Sequence, residues 1–171
     1  MSLFSIDEFV GKVSEKGLHD PTKYIISVNG PAGPLSQDGS SYCCMADIPS
    51  IGFDTTPHFI HGPIRQVAYL EQYTDQLSLT FYNDYDYTEY NYFYKWMTKE
   101  MGGDKFFIKY YDDYKGDIVL VSYDREEKQR FQVNCAEAYP IALSSFKFGY
   151  TRKDVPTFNV TFAVHHVEIS K

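Results

Sequence analysis

Residues 75–103 constrain the fold more than any other stretch, because they read as a strand, a turn and a helix in direct succession. Leu77, Leu79 and Phe81 alternate with polar residues, which is the period of a strand with one buried face. Asn83-Asp84 then interrupts the alternation with turn residues. The sequence therefore predicts a half-buried strand that is followed at once by a change of direction.

An amphipathic helix is predicted over residues 86–101. Asp86 and Glu89 have the spacing of an acidic capping box, which marks a helix start, and Gly102-Gly103 provides a stop. Large apolar residues recur between these limits at helical spacing. We expect the following side chains of this flanking helix to pack in the core: Tyr90, Phe93, Trp96 and Met97.

Strand-like segments dominate the rest of the chain. They lie around residues 24–28, 42–48, 64–70, 118–121, 131–135, 146–150 and 158–164. Ala136 and Ala138 shift the alternation by one residue, which a β-bulge would explain. Strands without a βαβ rhythm favour a mainly β fold. We expect two packed antiparallel sheets forming a sandwich or barrel, with the flanking helix and a short N-terminal helix.

Two apolar segments are expected to lie outside the core. Residues 1–17 form a short helical arm, which begins at a Ser5–Glu8 capping box and is too short to be stable alone. Residues 49–63 contain three prolines and two glycines without a clear period, so they are predicted to form a loop. Such an apolar loop either folds over its own core or is buried on another subunit. The second interpretation assigns inter-subunit contacts to Phe4, Phe9, Ile51, Phe53, Phe59 and Ile60.

Composition narrows the class of protein. A length of 171 residues favours a single domain over 1–171, and a hydrophobic fraction of 43% indicates a globular chain. The net charge of −7 argues against a generic nucleic-acid binder, which would carry a basic surface. An odd cysteine count with the neighbouring pair Cys43-Cys44 favours a reducing compartment. Neither a signal peptide nor a membrane-length apolar run is evident, so we expect no membrane partner.

No group of residues predicts an enzyme. His165 and His166 would face opposite sides of a strand, so they are poorly placed to share one ion. His58-x-x-His61 lacks matching cysteine or carboxylate ligands. The chain has neither a nucleophile motif nor a glycine-rich phosphate loop. The sequence therefore predicts no catalytic residue, no metal and no cofactor.

Tyrosines are dense around the start of the predicted helix. The helical register places Tyr90 and Tyr94 with the core residues. Tyr85, Tyr87 and Tyr92 are left as candidates for stacking against sugars or bases, or for contacts with another protein.

The order and spacing of four segments resemble the tail-tube proteins of contractile-tailed (T4-like) bacteriophages. The resemblance covers nearly the whole chain. Its segments are residues 21–24 after a helix that ends at Gly17, residues 43–49, residues 77–84 with Phe93-x-x-Trp96 after them, and residues 158–164. The glycine- and proline-rich insertion at residues 29–41 departs from the family pattern.

The resemblance implies a structural role without catalysis. In such proteins six subunits close into a ring, and rings stack into a hollow tube inside a contractile sheath. The implied partners are further copies of the chain, the tail sheath protein, the tape-measure protein and baseplate proteins, with genomic DNA passing through the lumen without specific binding. The implied location is the virion tail, assembled in the host cytoplasm.

Other interpretations stay open at this point. Six copies of a chain with net charge −7 would carry −42, and DNA would be repelled if part of that charge faced the lumen. The chain could instead build the inner tube of a phage-derived contractile injection system, or a baseplate-proximal tube position. A monomeric β-sandwich that binds carbohydrate through its tyrosines, and a small β-barrel metalloenzyme, are the alternatives from other classes.

Overall fold

Ten strands and three helical segments with defined bounds build most of the described part of the chain, and Ile6, Val10, Ser40 and Ser41 are also helical. The structure is a computed structural model that describes Ile6, Val10 and residues 21–36, 40–59, 62–73, 76–102, 107–146, 148–149 and 154–170. The strands are β1 (Tyr24–Gly30), β2 (Gly33–Pro34), β3 (Cys43–Asp47), β4 (Ile51–His58), β5 (Arg65–Tyr73), β6 (Leu77–Tyr82), β7 (Gly116–Tyr123), β8 (Gln129–Leu143), β9 (Thr157–Ala163) and β10 (His166–Ser170). The helices are α1 (Thr88–Lys95), a π-helical segment (Trp96–Met101) and α2 (Tyr111–Tyr114).

The strands form two antiparallel sheets of very different size. The large sheet has the order β2-β1-β7-β8-β9-β6-β3. Its eighth strand, β10, pairs with β8 and lies outside this linear order. The small sheet contains only β4 and β5. The large sheet folds over on itself to enclose the core, so the prediction of a mainly β sandwich or barrel with a flanking helix is confirmed.

The long strand β8 joins the two layers of the sandwich. Its first part pairs with β7 and β10, whereas its last part pairs with β9. Between these parts the register with β7 shifts, and Glu137 adopts a left-handed backbone with φ of 54°. A bulge of this kind bends a strand. The shift of alternation at Ala136 and Ala138 thus predicted this bulge correctly.

The core lies between the layers and is lined by alternating side chains. On β6 the buried residues are Leu77, Leu79 and Phe81, as the sequence predicted. β9 pairs with β6 and contributes its own alternating set, which is Phe158, Val160 and Phe162. Their outward neighbours are polar and bond to one another, since Asn159 Nδ2 donates to Ser78 Oγ at 2.7 Å.

Helix α1 closes the core, but it begins differently from the prediction. Asp84, not Asp86, supplies the cap, because its Oδ1 accepts a hydrogen bond from the Thr88 N–H at 2.9 Å. Tyr87 stands at the N-cap in a left-handed conformation with φ of 54°. Glu89 is buried instead of exposed at a cap. The capping-box prediction was therefore wrong in its residues, although the helix exists within the expected range.

Trp96 fixes the helix against the sheet. Its Nε1 donates to the Tyr114 carbonyl oxygen at 2.8 Å, which ties in α2. A Cβ on Gly116 would lie 2.8 Å from the indole and 2.4 Å from the Asn29 carbonyl oxygen. Only glycine at this position allows the ring to approach β7 so closely.

One predicted strand is absent. Within residues 146–150, the described positions form no strand. Phe146 instead packs against the rings of Tyr87 and Tyr90 at the start of α1, with centroid distances of 5.4 and 5.0 Å. Phe148 is exposed, so the alternation of aromatic residues in this segment does not reflect a strand with one buried face. The sequence also did not indicate β10 as a separate strand.

We expect Trp96→Ala to lower the free energy of unfolding by about 3–5 kcal/mol, since truncation of a buried aromatic leaves a cavity. Tyr85→Ala is the matched control, because Tyr85 is fully exposed and should change stability by less than about 0.5 kcal/mol. Chemical denaturation followed by circular dichroism measures both. Equal stability of the two variants would contradict the core assignment.

We expect Asp84→Ala to destabilise the protein by about 1 kcal/mol through loss of the helix cap. Asp86→Ala should have a clearly smaller effect, because the structure gives Asp86 no capping bond. The same denaturation assay compares the two variants. A larger effect at Asp86 would restore the capping box predicted from the sequence.

Candidate assembly surfaces

The hairpin of β4 and β5 is the most unusual feature of the surface. Its two strands pair over their full length, from Ile51 opposite Tyr73 to His58 opposite Arg65. Neither strand pairs with the large sheet in the part of the chain that the structure describes. An isolated two-stranded hairpin is at best marginally stable in water. This element therefore needs further cover that its own strands do not provide.

The hairpin corrects the prediction of a loop over residues 49–63. Residues 51–58 are strand β4, with Pro57 paired opposite Gln66. A proline is tolerated in an edge strand, so it does not exclude one. A hairpin without a buried face also needs no alternation of apolar and polar residues. The prolines and the absence of a clear period therefore did not distinguish a strand from a loop in this segment.

Large apolar side chains on the hairpin face solvent. Phe53 is 60% exposed and Phe59 is 75% exposed, and Ile51 is also exposed. These are three of the six side chains for which inter-subunit contacts were predicted. The other three, Phe4, Phe9 and Ile60, lie outside the described residues. In the N-terminal arm, the described residues Ile6 and Val10 are helical and exposed.

The predicted core residues of the flanking helix divide into two groups. Phe93 and Trp96 are fully buried, and Phe93 contacts the rings of Phe81 and Phe162. Tyr90 is half-buried at the edge of the core, where its ring meets Phe158 at 5.4 Å. Met97 is half-buried and lies outside the buried cluster.

The tyrosines near the helix do not form an exposed platform. Tyr94, which was predicted to join the core, is exposed. Tyr92, predicted to be a contact residue, instead has its hydroxyl bonded to the Gly30 N–H (3.1 Å) and the Gly33 carbonyl oxygen (2.6 Å). Tyr87 stacks on Phe146. Of the three candidates for ligand contact, only Tyr85 is fully exposed.

A groove opens at the mouth of the sandwich, where β1 and β3 face each other without pairing. The Tyr24 hydroxyl spans the gap and donates to the Cys43 carbonyl oxygen at 3.0 Å, and burial raises the Tyr24 pKa to about 12. We call this the mouth groove. Its main lining residues are Tyr24, Met45, Ile48, Leu120 and Phe131.

The described residues contain no cluster of potential metal ligands. No three His, Cys, Asp or Glu side chains among them gather closely enough to hold a metal ion. The cysteines among them are all free thiols, and burial raises the pKa of Cys43 to about 12 and that of Cys135 to about 11. No helix among them is both long and apolar enough to span a membrane.

A β-sandwich that presents an uncovered apolar hairpin is a structural subunit suited to assembly. The chain belongs to the phage tail tube protein family, whose model matches residues 25–168. This confirms the resemblance seen in the sequence, and the family is one of structural tube proteins, not enzymes. A comparison with curated proteins gives no match.

Solved structures of contractile injection systems share the fold. A chain of the sheath-tube complex of the extracellular contractile injection system PVC, in its extended state, has a TM-score of 0.69 at 15% identity, covering 94% of this chain and 96% of that chain. A chain of the tube-terminating cap of the anti-feeding prophage has a TM-score of 0.69 at 16% identity, covering 91% and 92%. A chain of the anti-feeding prophage baseplate has a TM-score of 0.67 at 9% identity, covering 91% and 97%. At these identities the likeness establishes the fold.

We expect Phe59→Asp to leave the monomer folded but to block its self-association, because a charge in a desolvated contact is strongly unfavourable. Tyr85→Asp is the matched control, since it places the same charge on another exposed aromatic. Circular dichroism checks the fold and light scattering follows association. Normal association of Phe59→Asp would show that the hairpin tip is not a contact.

Proposed function

We propose that this chain is the repeating subunit of the inner tail tube of a contractile-tailed phage. Six copies close into a ring, and rings stack into a hollow tube. One observation carries the proposal: in a chain with the tail tube fold, the β4–β5 hairpin exposes Phe53 and Phe59 and forms a sheet of its own. Neighbouring subunits would supply the cover that the hairpin lacks.

The geometry suits a ring and a stack better than a dimer. Rings and stacks require heterologous contacts, in which one patch of a subunit meets a different patch of the next. The hairpin is a projecting element, and the rest of the sandwich offers other surfaces that can receive it. Strand edges that would be a hazard in a monomer become assembly surfaces when partners are ordered.

The proposed partners follow from the position of a tube within a tail. The sheath protein surrounds the tube, the baseplate nucleates it, and the tape-measure protein and then the genomic DNA occupy the lumen. The net charge of −7 per subunit disfavours tight binding of the passing DNA. The tube is part of the virion and is assembled in the host cytoplasm.

A related machine is the second candidate. The solved structures named above come from an extracellular contractile injection system and from the tube-terminating cap and the baseplate of the anti-feeding prophage. The chain would then build the tube of such a machine or a position near its baseplate. The copy number per particle distinguishes a repeating subunit from a terminal one.

The arrangement of the tyrosines near helix α1 disfavours a monomeric carbohydrate-binding module. Such a module needs several exposed aromatic rings on one face. Tyr92 is engaged by backbone groups of β1 and β2, and Tyr87 stacks on Phe146, so Tyr85 stands alone among the candidates.

We expect purified protein to form hollow rings or tubes, either alone or after a baseplate seed is added. Negative-stain electron microscopy across a concentration series, with light scattering alongside, measures this. A seed is included because tube subunits can require a template. Strictly monomeric particles in the presence of a seed would contradict the proposed function.

A further inference from the structure

The mouth groove is an apolar recess with no described element of its own chain filling it. It contains about 330 Å³ of open space, and all nine described lining residues are uncharged. A cavity of about 150 Å³ is large enough for benzene. The groove can therefore hold one or two aromatic side chains. Its chemistry suits a neutral, ring-bearing segment and not a charged one.

The tip of the β4–β5 hairpin has that chemistry. Residues 55–64 carry no Asp, Glu, Lys or Arg, and the first charges on either side are Asp54 and Arg65. Within this neutral run, Phe59 and Ile64 are exposed to solvent. The apolar area of these two side chains is removed from water only when the tip docks on another surface, and this burial is favourable.

We propose that the mouth groove of one copy of this chain receives the hairpin tip of a second copy, with Phe59 as the inserted side chain. The proposal rests on the proposed tube function and names the receiving surface for its hairpin. The donor and acceptor patches differ, so the contact is heterologous, as a ring or a stack requires.

The two exposed phenylalanines described outside the hairpin fit the groove less well. Phe107 lies between Lys105 and Lys109, and Phe148 directly follows Lys147. Insertion of either ring would bring a lysine to an uncharged, apolar rim, where it would lose hydration without a counter-charge. The neutral run around Phe59 avoids this penalty.

The hairpin tip lies outside the groove of its own chain, because Phe59 is 75% exposed and is not among the described lining residues. β4 leaves the rim of the groove just after Ile48, and its seven steps from Ile51 to His58 extend about 23 Å at strand rise. The tip therefore lies well apart from Ile51 at the base of the hairpin. A second copy is the occupant that we assign to the groove.

A native cysteine allows a direct test. Cys44 lines the groove and is exposed, whereas burial raises the pKa of the Cys43 and Cys135 thiols and suppresses their thiolates at neutral pH. We would dope a minority of Phe59→Cys subunits into wild-type tubes and oxidise them mildly. Each variant tip then faces a wild-type groove, and the wild-type majority maintains assembly.

We expect a disulfide-linked dimer on a non-reducing gel, formed between position 59 and Cys44 of the neighbour. A disulfide requires the Cα atoms of the two linked residues to lie roughly 4.4–6.8 Å apart, so the link reports close contact between position 59 and Cys44. The dimer should disappear when the majority subunit is Cys44→Ser and persist when it is Cys43→Ser. A Phe107→Cys donor should give no link to Cys44.

The outcomes separate this inference from the proposed function. Tubes that form without the Cys44-dependent link would overturn the groove assignment and leave the tube function intact. A link that survives Cys44→Ser would also overturn it. Failure of wild-type protein to assemble on a seed would reject the tube function itself, and the inference with it.

A groove-filling variant gives an independent measurement. In the Cys44→Trp variant the indole should occupy the groove and exclude the hairpin tip. The concentration needed for tube formation should then rise by roughly tenfold or more, which is the usual effect of losing a central interface contact. Tyr85→Trp is the matched control at an exposed site outside the groove. Circular dichroism verifies that both variants fold. Unchanged assembly of Cys44→Trp would overturn the proposal.

Discussion

The packing of Trp96 is the contact on which the architecture depends. Its indole lies where any side chain on Gly116 would collide with it, and its Nε1 bonds to the carbonyl of Tyr114. One side chain thereby joins the helical layer to β7 and α2. Tyr92, one turn earlier, anchors the β1–β2 turn through its hydroxyl. The sandwich thus has a rigid, well-packed side, against which a less stable element can be displayed.

The β4–β5 hairpin differs from this side, because Phe53 and Phe59 on it are exposed. No hairpin residue is among the described residues that form the buried core of the sandwich. The exposed apolar residues of the hairpin lower the free energy only when another subunit covers them. Under the proposed function, stability of the subunit and affinity between subunits are encoded in separate parts of the chain. Substitutions in one part can be tested with little effect on the other.

Sequence reasoning succeeded where a pattern had one physical cause. The alternation of Leu77, Leu79 and Phe81, the mainly β fold and the bulge in β8 all follow from burial on one face of a sheet. It failed where local signals competed or burial was absent. Both Asp84 and Asp86 can cap a helix, and only the turn geometry selects Asp84. Sequence reasoning found β5 as the strand-like segment 64–70, whereas β4 has no fully buried residue and left no periodic signal.

Pro57 and the register shift between Asp54 and Thr55 have a consequence for the free subunit. Both interrupt the regular row of backbone donors and acceptors along the edge of β4, and such interruptions hinder indiscriminate edge-to-edge pairing. An apolar hairpin with a regular edge would invite fibril formation at high concentration. The interrupted edge of β4 leaves recognition in the proposed tube to side chains, which discriminate between surfaces. It also lowers the tendency of free subunits to pair through their strand edges.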